Sequence, residues 1–136
     1  MKKIQGNHLC YELPDNWLIE ESEGLLFLYD PNGKGAMTIS LLRFTAAQND
    51  LSEQLTLTAH SFVNQNKIHL KREFCQKIRK DGTWIQTAPG ETVDGDFIQL
   101  WLVAKDEHAV LASYQSEKKN HEIKICDSIL TSLIFV

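Results

Sequence analysis

The chain has no apolar run of about 18 residues, the length a membrane-crossing helix requires. Its richest stretch, Ile129 to Val136, is short and is broken by Thr131 and Ser132, so no contact with a membrane is expected. Met1-Lys2-Lys3 is followed by Ile4-Gln5-Gly6-Asn7-His8, without the apolar segment of a secretory signal. The three cysteines, Cys10, Cys75 and Cys126, are odd in number and widely spaced, with no CxxC pair. That argues against a disulfide scaffold or a zinc finger and for reduced thiols in the cytoplasm. There is no basic excess either: 14 Lys and Arg against 18 Asp and Glu leave a net charge of −4, the wrong sign for a dedicated nucleic-acid binder.

Chemistry-bearing motifs are equally scarce. No G-x-S-x-G nucleophile elbow occurs, and the five histidines, His8, His60, His69, His108 and His121, show neither H-x-x-x-H nor H-E-x-x-H spacing. Gly33-x-Gly35 follows Pro31-Asn32 and reads as a turn, not as a phosphate-binding loop. Cys75 and Cys126 sit in apolar-patterned segments and read as small packing residues. Glu20, Glu21, Glu23, Glu91, Asp94 and Asp96 lie in expected turns, where carboxylates serve solubility. No catalytic residue, no metal site and no cofactor is expected.

What is present is a globular pattern: 136 residues, 43% hydrophobic and 24% charged, which excludes disorder, collagen and coiled coil as the main state. This length suits one domain, residues 1–136, with a core built without staples. Period-two patterning predicts strands over 8–13, 25–30 and 36–44, the last two joined by a turn whose glycines adopt positive φ. From Leu51 the period becomes 3.6, with Leu55, Ala59, Phe62 and Val63 on one face. Asp50 or Ser52 is the expected cap, and the pattern fades over Asn64 to Lys67. Strands at 72–80, 83–91, 96–105 and 108–116 follow, punctuated by Asp81-Gly82, Asp94-Gly95 and Lys105-Asp106-Glu107. The third of these is apolar on both faces and therefore central. A second helix over 118–131 aligns Glu122, Cys126, Ile129, Leu130 and Leu133, and residues 133–136 form a terminal strand or docked helix end. The expected fold class is α+β: an antiparallel sheet of about six to seven strands that buries a face under two helices.

The opening Tyr11-Glu12-Leu13-Pro14-Asp15-Asn16-Trp17 and the ending Ile129-Leu130-Thr131-Ser132-Leu133-Ile134-Phe135 resemble the strand-Pro-x-x-Trp entry and the closing helix of the PsbP/Mog-like domains. That family includes the bacterial DcrB-type proteins. The order of elements between these motifs is similar as well, so the resemblance spans nearly the whole chain. It implies a PsbP/Mog-like sandwich used for protein binding in unrelated settings: a photosystem subunit, a Ran-binding factor, chaperones of secreted effectors. It carries over no catalytic residue. Cys10 lacks the apolar leader of a lipoprotein anchor, so the membrane attachment of DcrB members is not carried over.

Charge is distributed unevenly. Residues 67–80 hold Lys67, Lys71, Arg72, Lys77, Arg79 and Lys80 against Glu73, a balance of +5 that leaves −9 elsewhere. On a strand, Lys71, Lys77 and Arg79 share a face with Glu73 and Cys75, while Phe74 and Ile78 take the other. Such a strand either guards a sheet edge against aggregation or meets an anionic partner. Trp84, just after the Asp81-Gly82 turn, is a binding anchor or a hairpin staple. Arg72, Lys77, Arg79 and Trp84 are thus the candidate partner-binding residues. The expected function is a non-catalytic protein-binding module, an adaptor, chaperone or immunity-type partner in bacteria, acting as a complex or homodimer. The alternative is a small-ligand carrier with a pocket between helix and sheet.

Overall fold

A computed structural model describes residues 1–43 and 51–136. Its strands are β1 (Lys2–Gln5), β2 (Leu9–Leu13), β3 (Leu18–Ser22), β4 (Leu25–Tyr29), β5 (Gly35–Arg43), β6 (His69–Leu70), β7 (Cys75–Ile78), β8 (Trp84–Glu91), β9 (Phe97–Lys105), β10 (His108–Ser116) and β11 (Ile134–Phe135). The helices are α1 (Leu51–Gln65) and α2 (Glu122–Ser132). The α+β class with two helices and antiparallel sheets is as expected, and β1, β3 and β6 join the strands read from the sequence. Phe44 and the cap candidate Asp50 lie outside the described residues.

The main sheet runs β3-β4-β5-β10-β9-β8-β6, with β7 also paired to β8, and a small sheet runs β1-β2-β11. β9 is central, as its two-faced apolar sequence requires. Alternation along it sends Trp101 and Val103 into one cluster with Leu13, Trp17 and the α2 residues Cys126, Ile129 and Leu130. Its other face sends Leu102 and Ala104 to Leu55 and Ala59 of α1. The two helices therefore cover opposite faces of the sheet, not one face together, and the small sheet shares the α2 side. Trp17, Trp101 and Tyr114 are fully buried, each such side chain contributing on the order of 2 to 3 kcal/mol through water exclusion. Burial also pushes the Cys126 thiol up, with the carboxylates of Glu122 and Asp127 adding to the shift.

Turn chemistry follows sequence in most places. Gly82 and Gly95 have φ +89° and +88°, and the two-residue β3–β4 loop holds Glu23 and Gly24 at +50° and +81°, the positive-φ pair of a type I′ hairpin. Glu20 and Glu21 accordingly stand on β3, not in a turn. Lys67, at φ +53°, closes α1: Ile68 N–H bonds to Val63 O at 2.9 Å and Lys67 N–H to Asn64 O at 3.3 Å, the paired bonds of a Schellman motif. Gly33 and Gly35 differ from expectation, since neither has positive φ. They are small because a side chain there would strike the Glu122 carboxylate or β10.

Glu122 explains that crowding. Only 2% exposed, its Oε1 accepts hydrogen bonds from Lys34 N (3.0 Å), Gly35 N (3.2 Å) and Tyr114 Oη (2.6 Å). Asn120 Oδ1 accepts from Glu122 N at 2.8 Å, so α2 begins here instead of at 118. One carboxylate thus joins the β4–β5 turn, β10 and the positive end of α2. Glu122→Ala leaves three donors without their acceptor and should cost about 2 to 4 kcal/mol in urea unfolding.

Burial first, then the bond to Glu122, pushes the Tyr114 phenol up to about 12. The fold favours the protonated phenol, so this stabilisation is complete below the ordinary value of 10.0 and is lost as pH rises to about 12. The urea midpoint should fall across that window, and fall less in Tyr114→Phe.

Candidate functional site: the basic edge and its groove

The basic segment forms one edge of the main sheet, but as a broken strand. β6 pairs with β8 through His69↔Glu91 and Leu70↔Gly90, while β7 pairs with β8 through Cys75↔Thr87 to Ile78↔Trp84. Residues 71–74 thus stand opposite only Ala88 and Pro89, and Lys71 N–H bonds to Pro89 O at 2.9 Å. A residue's N–H and C=O point the same way in a strand, so Pro89 withholds its donor from this side and the ladder is interrupted where it sits.

The four candidate residues part company here. Arg79 turns inward: its Nη1 donates to Thr131 O (2.5 Å) and Leu133 O (2.7 Å), and its Nη2 to Thr83 Oγ1 and Asp81 Oδ2 (both 2.7 Å). With 17% of its side chain exposed, it caps the C-terminal carbonyls of α2, where a cation complements the helix dipole. Its hydrogen bonds hold the Asp81 carboxyl well below the usual carboxylate range. Lys77 follows it over α2, with Nζ 3.5 Å from Asp127 Oδ2. Trp84 is half-buried on the opposite, α1 face, where its Nε1 donates to Gln76 Oε1 at 3.1 Å. Lys77 and Arg79 therefore do not form one anchor with Trp84. Lys71 is paired to Glu91 at 2.8 Å.

Arg72 is exposed and makes no ion pair among the described residues. It stands on the rim of a groove of about 560 Å³ between α1 and the 71–74 segment. Leu70 and Phe74 supply its apolar wall, His60, Lys71 and Glu73 join Arg72 on the rim, and Gln86 of β8 lies at its base. Gln86 is 5% exposed, and its amide makes no hydrogen bond among the described residues. The amide atoms stay accessible from the groove, so they offer one donor side and one acceptor to whatever occupies it. Gln86 and His60 were not singled out in the sequence. The available signal was a polar residue at the inward position between Trp84 and Ala88.

Solved structures with this arrangement of elements exist. CyanoP, the PsbP protein of the cyanobacterium Synechocystis, superposes with a TM-score of 0.72 over 99% of this chain and 92% of its own, at 7% identity. The fold is PsbP/Mog-like. A Mog1 variant agrees at TM-score 0.64 over 99% of this chain and 95% of its own, at 8% identity. A Bacteroides thetaiotaomicron protein matches at TM-score 0.55 and 17% identity over 94% of this chain, which spans 45% of that protein. No family model and no curated protein matches the sequence. In this PsbP/Mog-like chain no helix among the described residues is long and apolar enough to cross a membrane.

Because Arg79 serves the end of α2, its removal tests folding. Arg79→Ala should lower stability by about 2 to 4 kcal/mol, through lost charge-assisted bonds and uncapped carbonyls. Lys77→Ala, at a half-exposed pair, should cost less than about 1 kcal/mol. Paired urea melts measure both.

Proposed function

We propose that the chain is a non-catalytic protein-binding module, an adaptor, chaperone or immunity-type partner in bacteria, that receives an acidic extended segment of its partner in the groove beside α1. The observation that carries this reading is the unpartnered Gln86 amide at the base of that groove. A side-chain amide offers one donor and one acceptor, the complement of a peptide group. Arg72 above it offers a guanidinium fork to a carboxylate, and Phe74 an apolar surface for the segment between. Beyond the groove, β7 pairs only with β8 among the described residues, so its outer edge can take the remaining main-chain bonds. Lys77, on the α2 side of β7, contributes in this reading to the outer edge of that strand and not to the groove. Arg79 belongs to the support of the interface.

The resemblance to PsbP/Mog-like domains, used elsewhere for protein binding, favours the same reading without naming a partner. A second copy of the chain is a partner on equal terms, and sedimentation of the purified protein separates that case from a foreign partner. Small-ligand carriage with a pocket between helix and sheet is less favoured, because the space there is this open groove.

The test is affinity capture from source extract, followed by titration of the purified partner. Arg72→Glu and Gln86→Leu should each weaken binding about tenfold or more, as expected for one charged or buried hydrogen bond lost, while melting temperatures stay close to wild type. A partner bound equally by both variants would place the interface elsewhere. No partner and no self-association would remove the reading.

A further inference from the structure

A second recess lies on the other side of the molecule, between the small sheet and the β3–β5 end of the main sheet. It is a cleft of about 380 Å³, within the roughly 300 to 1,000 Å³ range of small-molecule sites. No residue of α2 lines it, so the gap between the sheets is left to their own side chains. Ile4 and Leu9 of the small sheet face Ile39 and Leu41 of β5 across it. Four polar side chains line this apolar space: Asn7 and His8 of the β1–β2 connection, Tyr11 and Glu21. Tyr11 of β2 is 4% exposed, and its hydroxyl makes no hydrogen bond among the described residues. The hydroxyl oxygen itself stays accessible from the cleft, where a ligand can meet it. Glu21 of β3, paired across from Leu26, turns its carboxylate to the same cleft. Burial and the Glu21 charge both hold the Tyr11 phenol above its ordinary value, which fits a shared polar corner. The β3–β4 turn at Gly24 borders the mouth, where a Cβ would meet nothing within 4 Å, so the entrance is open.

We propose that this cleft binds an aliphatic ammonium group, its hydrocarbon chain among Ile4, Leu9, Ile39 and Leu41 and its cationic head between the Glu21 carboxylate and the Tyr11 hydroxyl. Glu21, the one carboxylate among the lining residues, sets the class. A carboxylate head would meet Glu21 and be repelled, and a neutral hydroxyl would gain a hydrogen bond but no ion pair. The same chemistry occurs in a free alkylamine and in the lysine side chain of a bound protein. The site is independent of the Gln86 groove: it uses other strands, the opposite end of the sheet and the opposite charge.

The experiment is a ¹H–¹⁵N correlation titration of the full chain with n-hexylamine, n-hexanol, hexanoate and Nα-acetyl-lysine N-methylamide. Hexylamine should bind about tenfold or more tighter than hexanoate, with hexanol between them, and shifts should concentrate at Ile4, Tyr11, Glu21 and Leu41. Glu21→Gln should abolish the amine preference while retaining weak hexanol binding. Tyr11→Phe should weaken both, and Leu41→Trp, filling the cleft from a half-buried position, should block all probes with the spectrum otherwise native. Tighter hexylamine assigns the site to a free amine, and a tighter lysine derivative assigns it to a lysine side chain. Absence of binding by either amine, an order favouring hexanoate, or an amine preference surviving Glu21→Gln would overturn the proposal.

Discussion

The buried carboxylate of Glu122 is the interaction on which the arrangement turns. Removing a charge from water costs several kcal/mol unless hydrogen bonds replace the lost hydration, and here two backbone N–H groups and the Tyr114 hydroxyl do so. Those donors come from the β4–β5 turn and from β10, so the charge is satisfied only when both are seated against the first turn of α2. At the other end of the same helix, Arg79 accepts the opposite task with Thr131 O and Leu133 O. An anion at its positive end and a cation at its negative end fix the position of α2 over Trp101, and through Ser132 Oγ, which accepts from Glu12 N at 2.9 Å, they hold the small sheet in place.

This clamp also gives the end motifs their physical meaning. Tyr11, Leu13 and Trp17 are buried, and Trp17 N–H bonds to Pro14 O at 3.0 Å, so the proline opens the turn that drops the indole into the core. In the closing helix, Ile129, Leu130 and Leu133 fill that same core, while Thr131 and Ser132 offer the atoms that Arg79 and β2 take up. The motifs that suggested a PsbP/Mog-like fold are the points where α2 is tied to the sheets.

Legibility in the sequence followed the range of the interaction. The Asp-Gly turns, the two-faced β9 and the α1 stripe are decided by neighbours a few residues away, and all were readable. β3 is exposed along its whole length and carries no burial pattern to read. Gly33 and Gly35 were read as backbone devices because the carboxylate crowding them arrives from nearly ninety residues later. Arg79 was read as an exposed charge for the same reason, its carbonyl acceptors lying 52 and 54 residues on. Of the candidate interface, only Arg72 stands free at the groove. Gln86 and the Tyr11–Glu21 corner depend on which inward positions end up without a partner, and that is fixed by packing, which no local spacing reports.

Pro89 gives the basic edge a character beyond its charge. A hydrogen-bonded edge is a zipper whose teeth are amide protons, and this chain lacks one tooth in the middle of β8. Four residues gather opposite two, and the slack bows outward as the wall that carries Arg72. The register moves by two residues across the gap, so every side chain beyond it keeps its face. A single absent proton thus opens a recess of particular shape between β8 and the broken strand beside it, while the outer edge of β7 keeps its own teeth.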